Sequence, residues 1–299
     1  MEAASILERL GGVADARVLI AHTSRRRVRN ALVRGEIVRD ARGRYALPTA
    51  VEALRSANRL GGVVSHRSAA AWWGWELKWQ PDRPEVMVPR NRKVVAARRE
   101  GVALHWGEVC GGEVIGGRVT SPGRTVLGCA KALSFDEALA IADSALRHRN
   151  LTPAFLMQAA DEVQGPGRAA CRRVALHASG KAANPFESVM RAIALDVRGL
   201  QLVPQVTVTV GGMSFRPNLV DERRRLIVEA ESFEFHGRRS LLARDCERYD
   251  LLVLDGWTVL RFSWEHVMFH PEFVEACLRA HIDRFDLPGV ARLLAAIRT

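Results

Sequence analysis

Several features that would place this chain in a familiar class are missing from its sequence. No apolar run approaches the roughly 18 residues that a membrane span needs, and the first residues lack the basic-then-apolar plan of a secretory signal. The five cysteines are scattered, and no two are spaced as C-x-x-C, which disfavours a disulfide framework or a zinc knuckle. We therefore expect a cytoplasmic protein with no membrane partner.

A phosphate-binding loop of the form GxxxxGK[ST] is also absent, which argues against ATP-driven chemistry. What remains is an ordinary globular composition, with 48% hydrophobic and 26% charged residues in 299. That length predicts two or three domains.

Positive charge is concentrated in the first part of the chain. The formal net charge is +11, and residues 1–125 hold 22 basic and 12 acidic side chains, against 22 and 21 in the remainder. Such a distribution favours a polyanionic partner for the N-terminal part. A general arginine-rich composition is the alternative explanation.

Residues 1–50 are predicted to form three helices followed by a β-hairpin, the plan of a winged helix. Thr23 or Ser24 can cap the third helix, RRRVRNALVRG, whose apolar side would carry Val28, Ala31, Leu32 and Val33. In a winged helix this helix enters the major groove and the hairpin reaches the backbone. We therefore expect DNA contacts from five arginines; these are Arg25, Arg26 and Arg29 on the helix and Arg42 and Arg44 on the hairpin. A solvated arginine face on a purely structural unit is the alternative.

The winged-helix segment and residues 51–178 together resemble the abortive-infection antitoxin family of transcriptional regulators. The resemblance rests on GGVVSHRSAAAWWG at 61–74, PEVMVPR at 84–90 and the segment 119–150. It implies a small α/β domain over 51–178, with a helix from Ser65 and an amphipathic helix over 135–147. The shared residues are mainly structural and supply no catalytic group.

A short polar stretch at 178–184 is predicted to be a linker, and residues 184–299 form the third predicted domain. Its elements are a helix at 185–198, strands at 202–209, 213–220 and 225–231, a helix at 240–254 and a strand at 257–262. This αβββαβ order is that of the PD-(D/E)XK, or restriction-endonuclease-like, fold. The fold class is therefore a multidomain mixture of α+β and α/β.

Polar residues on these elements point to metal chemistry. In the strand RRLIVEAESF, Glu229 and Glu231 share one face about 6.6 to 6.8 Å apart. Carboxylates in an apolar strand need a cation or solvent. Glu187 on the opening helix is a third potential oxygen ligand, and His236 follows the strand. Each residue alone is more often structural; Arg244 and Arg248 on the next helix could contact phosphate or pair internally.

Residues 216–264 closely resemble nuclease domains related to the very-short-patch repair endonuclease, through RPNLVD, EAESFEFHG, RDCERY and GWTVLRFSW in order. The resemblance implies that Glu187, Asn218 and Glu229 hold Mg²⁺ or Mn²⁺ and that His236 activates water. Two residues depart from the family pattern. Glu231 stands at the motif lysine, and Asn218 stands where the motif has aspartate. An introduced aspartate-to-asparagine change is the explanation we favour; natural loss of activity would look the same.

These observations predict a metal-dependent DNA endonuclease or nickase, slow or inactive because of Asn218, with duplex DNA as partner and a homodimer as one possible assembly. Phage defence and DNA repair are both compatible roles. The alternatives are a non-catalytic, antitoxin-like DNA-binding regulator and an enzyme acting on RNA or modified DNA.

Overall fold

The chain is described by a computed structural model over residues 2–108, 111–231, 239–283 and 287–297. Helices alternate with several small sheets, so the protein is a mixed α/β, multidomain chain. It divides into two compact units. Unit 1 comprises Met1–Trp75 and Trp79–Cys129, and unit 2 comprises Glu76–Lys78 and Ala130–Thr299.

Unit 1 begins with three helices and a three-stranded antiparallel sheet of order β1-β3-β2. Its elements are α1 (Ala3–Arg9), β1 (Val13–Asp15), α2 (Ala16–His22), α3 (Arg25–Val33), β2 (Val38–Ala41) and β3 (Arg44–Ala46). The three helices and the hairpin agree with the prediction. Strand β1 was not predicted, because three residues are too few to show an alternating pattern.

Helix α3 begins where the sequence predicts. Ser24 is its N-cap, and the Ser24 hydroxyl accepts a hydrogen bond from the backbone N–H of Arg27 at 3.3 Å. Val28 and Ala31 are buried against α1 and α2. Val33, placed on the apolar side by its spacing, is instead 84% exposed, because the helix ends there and the chain turns at Gly35.

The rest of unit 1 surrounds a five-stranded mixed sheet of order β6-β5-β4-β8-β7. Its elements are α4 (Glu52–Leu60), β4 (Val63–Val64), α5 (His66–Trp72), β5 (Glu85–Pro89), α6 (Ala96–Arg99), β6 (Ala103–Gly107), β7 (Val114–Ile115), β8 (Val119–Thr120) and α7 (Pro122–Ala132), which runs across the unit boundary. The helix predicted from Ser65 is confirmed, with Ser65 as its N-cap residue.

Unit 2 opens with four helices: α8 (Phe135–Arg147), α9 (Pro153–Asp161), α10 (Arg168–His177) and α11 (Pro185–Leu195). A buried ion pair joins α8 to α11, with Arg191 Nη2 2.6 Å from Asp143 Oδ2. The stretch predicted to be a linker, 178–184, lies inside this unit. The N–H of Ser179 donates to Asp143 Oδ1 at 2.7 Å, and Arg147 Nη1 donates to the Ala182 carbonyl at 2.6 Å.

The strands of unit 2 form a four-stranded sheet of order β14-β13-β12-β9 and a separate hairpin, β10-β11. The bounds are β9 (Val203–Pro204), β10 (Val208–Val210), β11 (Met213–Phe215), β12 (Leu219–Asp221), β13 (Leu226–Glu231) and β14 (Thr258–Ser263), with α12 (Arg239–Leu254) between the last two. Strand β13 is antiparallel to β12 and parallel to β14.

The predicted strands 202–209 and 213–220 are each divided in two. The first is interrupted at Gln205, which has φ +59°, and the second at Pro217, which has no N–H to donate to a neighbour. Strand 225–231, helix 240–254 and strand 257–262 match β13, α12 and β14 to within one residue at every end.

Unit 2 ends with α13 (Trp264–Phe269), α14 (Pro271–Asp283) and α15 (Leu287–Ile297). Across the residues that the structure describes, no helix combines the length and apolar character needed to cross a membrane.

Candidate functional site

Glu187 lies in the first turn of α11 because the local sequence builds a capped helix start. Asn184 is the N-cap, and its Oδ1 accepts from the N–H of Glu187 at 2.9 Å, while Pro185 occupies the first turn. The Glu187 carboxylate turns back, and its Oε2 accepts from the N–H of Ala183 at 2.9 Å. This capping contact uses Oε2, so Oε1 is directed at the sheet. The residue is 6% exposed.

Asn218 stands immediately before β12 and joins two segments. Its Nδ2 donates to Glu187 Oε1 at 2.8 Å, its Oδ1 accepts from the N–H of Ala230 at 2.8 Å, and its own N–H donates to Glu229 Oε2 at 3.1 Å. The orientation of the amide follows from these partners, since a carboxylate can only accept. We call Glu187, Asn218 and Glu229 the carboxylate cluster.

Glu229 is the most buried member of the carboxylate cluster, at 5% exposed, on β13. Burial raises the pKa of its carboxyl group from 4.5 to about 7, and the charges of Glu231 and Glu187 act in the same direction. The guanidinium of Arg248, which donates to Glu229 Oε1, opposes that rise. A buried carboxylate with a cation beside it thus remains hard to ionise.

Glu231 and Glu229 both contact side chains of α12. The two carboxylates therefore share a face of β13, as the alternating pattern predicts. Glu231 Oε1 accepts from Tyr249 Oη at 2.5 Å and from Arg261 Nε at 2.8 Å. The Arg261 guanidinium also lies 4.1 Å from the centre of the Tyr249 ring. Burial and the bond to Glu231 raise the pKa of the Tyr249 hydroxyl.

The structure therefore brings together three of the predicted residues, Glu187, Asn218 and Glu229, from three distant segments. Glu231 lies beside them with partners of its own. Arg248 binds Glu229, whereas Arg244 is exposed on α12, so a phosphate contact for either remains a prediction. His236 lies outside the described residues.

Three further residues were missed by sequence reasoning. Gln205 Nε2 donates to Glu187 Oε2 at 3.3 Å, and Tyr249 and Arg261 bind Glu231. Tyr249 follows Arg248 directly and is one of only two tyrosines in the chain, a signal that could have identified it. Gln205 follows Pro204 in an irregular segment, and the sequence holds no signal for it.

The donor chemistry of the carboxylate cluster does not fit a divalent cation as the chain stands. Asn218 lies between Glu187 and Glu229 and directs its side-chain Nδ2 at the first carboxylate and its backbone N–H at the second. Mg²⁺ binds oxygen ligands and is repelled by N–H donors. Within residues 2–108, 111–231, 239–283 and 287–297, no group of three or more His, Cys, Asp or Glu is arranged to hold a metal.

The predicted DNA-contacting arginines of unit 1 form a different kind of surface. Arg25, Arg26 and Arg29 on α3 and Arg42 in the turn of the β2–β3 hairpin are all exposed. We call these four the arginine surface. Arg44 is only partly exposed and lies 3.9 Å from Asp15.

Comparisons with known proteins add little about activity. No family model matches the chain. Two uncharacterized proteins of Mycobacterium tuberculosis, MT2308 and Rv2248, are each 31% identical to it over 180 residues, which is 59% of this chain and 66% of theirs. The match thus covers just under two thirds of these relatives.

A crystal structure of the RV2827C protein from Mycobacterium tuberculosis matches 69% of this chain and 87% of its own. Its TM-score is 0.34, with 13% sequence identity. At that TM-score the match supports no conclusion about fold or function.

Proposed function

We propose that this protein binds duplex DNA through unit 1 and that unit 2 is an endonuclease- or nickase-type domain, weakened or inactive because residue 218 is asparagine. The observation that carries the proposal is the convergence of Glu187, Asn218 and Glu229 from one helix and two strands. Phage defence and DNA repair are both roles compatible with such an activity.

Support for DNA binding comes from charge and from the order of elements in unit 1. Three helices with a small antiparallel sheet form the plan of a winged helix, in which the third helix enters the major groove. The arginine surface lies on that third helix, α3, and on the hairpin turn. Its side chains are free to approach phosphates without first leaving a buried position.

Support for a nuclease-type domain comes from the elements that carry the carboxylate cluster. Helix α11 is followed by strands β9 to β13, helix α12 and strand β14, which is compatible with the αβββαβ order once the two predicted strands divided at Gln205 and Pro217 are each counted as one, and β13 is parallel to β14. Two carboxylates and residue 218 meet where one helix and two strands converge. This fits a site for phosphodiester hydrolysis, in which a bound cation would stabilise developing negative charge.

Residue 218 decides whether the cluster can work in this way. The asparagine side chain donates to Glu187, whereas an aspartate there would place a third carboxylate against Glu187 and near the buried Glu229 and would lose that hydrogen bond. Three such groups repel unless a cation or protons neutralise them. Asn218→Asp therefore creates the demand for Mg²⁺ or Mn²⁺ that the present side chain removes.

The decisive experiment compares the unsubstituted chain, Asn218→Asp and Asn218→Asp/Glu229→Ala on supercoiled, linear and single-stranded DNA and on RNA. Each reaction is run with Mg²⁺, Mn²⁺ or EDTA. We expect metal-dependent cutting of DNA by Asn218→Asp alone, with little or none by the other two chains. Cutting of RNA but not DNA would identify the substrate as RNA.

A non-catalytic DNA-binding regulator is the second candidate function. It is favoured by the side chain of Asn218, whose Nδ2 and Oδ1 both have protein partners, so that the cluster is complete without a ligand. If Asn218→Asp binds DNA tightly and cuts none of the substrates with either metal, the regulator replaces the nuclease.

A further inference from the structure

Unit 1 contains a cavity of about 440 Å³ that the proposed function does not use. It lies between the first helices and sheet of the unit and the segment around α4 and the β7–β8 hairpin. Apolar side chains supply much of its wall; among them are Leu10, Val13, Val18, Leu54, Val63 and Pro89. A concave space of this volume with mostly apolar walls is typical of sites for small molecules.

Specific hydrogen bonds hold the two sides of the cavity together. Asn58 of α4 donates from Nδ2 to the carbonyl of Tyr45 on β3 at 3.1 Å, and Arg55 binds Asp40 at 2.7 Å across the same pair of segments. The cavity is therefore part of the folded unit, and its walls do not depend on an occupant for their position.

Most polar groups in the wall already have hydrogen-bond or ion-pair partners within the protein. The Asp15 carboxylate caps α2 by accepting from the N–H of Val18 at 2.8 Å, and it faces Arg44 at 3.9 Å. The Asn58 side chain donates to the Tyr45 carbonyl, as described above. Arg118 is the exception, since no carboxylate among the described residues pairs with its partly buried guanidinium.

Three glycines place Arg118 at the cavity. Gly116 and Gly117 have φ of +57° and +69° and form, with Arg118, the three-residue turn between β7 and β8. Across the cavity, Gly11 leaves room for the guanidinium, because a Cβ there would lie 2.7 Å from Arg118 Nη1. A side chain at position 11 would displace the charge.

We propose that this cavity binds a small organic anion, a carboxylate or phosphate monoester with an apolar body, with Arg118 holding the anionic group. A desolvated guanidinium without a counter-charge gains a strong, charge-assisted hydrogen bond when an anion enters. The apolar body of the ligand would occupy the space between α2 and α4.

The test uses the full chain and four named probes: hexanoate, benzoate, phenyl phosphate and the neutral hexanamide. Binding is measured by ligand-observed NMR and calorimetry. We expect at least one anion to bind with a Kd of about 1 mM or tighter, and hexanamide to bind at least about tenfold more weakly than hexanoate. Failure of all three anions to bind, or equal binding of hexanoate and hexanamide, would overturn the proposal.

Two variants and a control locate the site. Arg118→Gln removes the charge and should weaken anion binding about tenfold or more. Val18→Trp, at a position already 40% exposed, should block the cavity with little cost to folding. Arg83→Gln removes an exposed arginine of the same unit that does not line the cavity, and should bind as the unsubstituted chain does. Unchanged binding in a folded Val18→Trp chain would place the ligand elsewhere and refute the site.

Discussion

Charge is used in opposite ways by the arginine surface of unit 1 and the carboxylate cluster of unit 2. The four arginines of the first are exposed, and their charges are available to a partner. Glu187 and Glu229 are at most 6% exposed, and protein donors already bind them. Exposed charges stabilise a fold weakly, whereas buried charges must be paired. Mutation of the arginine surface should therefore change DNA binding, whereas mutation of buried charges such as those of the carboxylate cluster should change stability.

The largest expected loss of stability comes from the most buried ion pair. Arg191→Ala leaves the Asp143 carboxylate, which has no exposed surface, without its cation. We expect the free energy of unfolding to fall by about 3 to 5 kcal/mol, measured by urea unfolding. Arg279→Ala is the matched control, because it removes an exposed pair with Glu275 on α14 and should cost at most about 0.5 kcal/mol. Equal losses in the two variants would contradict this account.

The arginine surface should show the reverse behaviour. Replacing Arg25, Arg26 and Arg29 by alanine should leave stability nearly unchanged and weaken DNA binding on the order of 100-fold at low salt. If the unsubstituted chain neutralises about five phosphates, log K should fall with log salt at a slope of about −4.5. The triple variant should lose about 2.7 of that slope.

The control for that experiment replaces three exposed arginines of unit 2, namely Arg168, Arg198 and Arg223. Its DNA affinity and salt slope should match those of the unsubstituted chain, measured by fluorescence anisotropy. An unchanged affinity in the triple variant of Arg25, Arg26 and Arg29 would mean that α3 is not the DNA-contacting helix.

A buried histidine should make unit 1 sensitive to acid. Burial lowers the pKa of His66 from 6.5 to about 3, and the ring stacks on His105 with centroids 3.5 Å apart. Between these two pKa values, the unfolded chain binds a proton at His66 that the folded chain does not bind. Stability therefore falls as pH decreases from 6.5 towards 3. The slope for this group is about 1.4 kcal/mol per pH unit.

Asparagine tolerates the left-handed backbone of position 66, where φ is +49°. Between about pH 6.5 and pH 5, the unsubstituted chain should lose about 2 kcal/mol more stability than His66→Asn, measured by urea unfolding at each pH. Parallel profiles for the two chains would show that His66 does not resist protonation.

The smallest effect is expected at the edge of the carboxylate cluster. Tyr249→Phe removes the hydrogen bond to Glu231 but leaves Arg261 in place, so the loss should be about 1 kcal/mol. Tyr45→Phe, a partly buried tyrosine of unit 1, serves as the control in chemical unfolding. If the loss of stability in Tyr249→Phe is no greater than the loss in Tyr45→Phe, the Tyr249 hydroxyl adds no stability of its own.

Local signals in the sequence located many elements well. The cap at Ser24 marks the start of α3, and the alternation in 226–231 placed Glu229 and Glu231 on one face. Signals of this kind act over a few residues and survive in any context. Where local patterns were ambiguous, the predictions erred, as at Val33 and in the strands divided at Gln205 and Pro217.

The sequence by itself determined the uneven distribution of charge, the capped helix starts and the candidate carboxylates, because each depends on residue type and short spacing. Tertiary structure alone decided that Asn218 would bond to both glutamates, that Arg248 would donate to Glu229, and that Arg118 would line a cavity where no carboxylate of the described residues pairs with it. Those outcomes join residues up to 31 positions apart in the cluster. Contacts over such separations are set by how helices and sheets pack, and local patterns do not encode them.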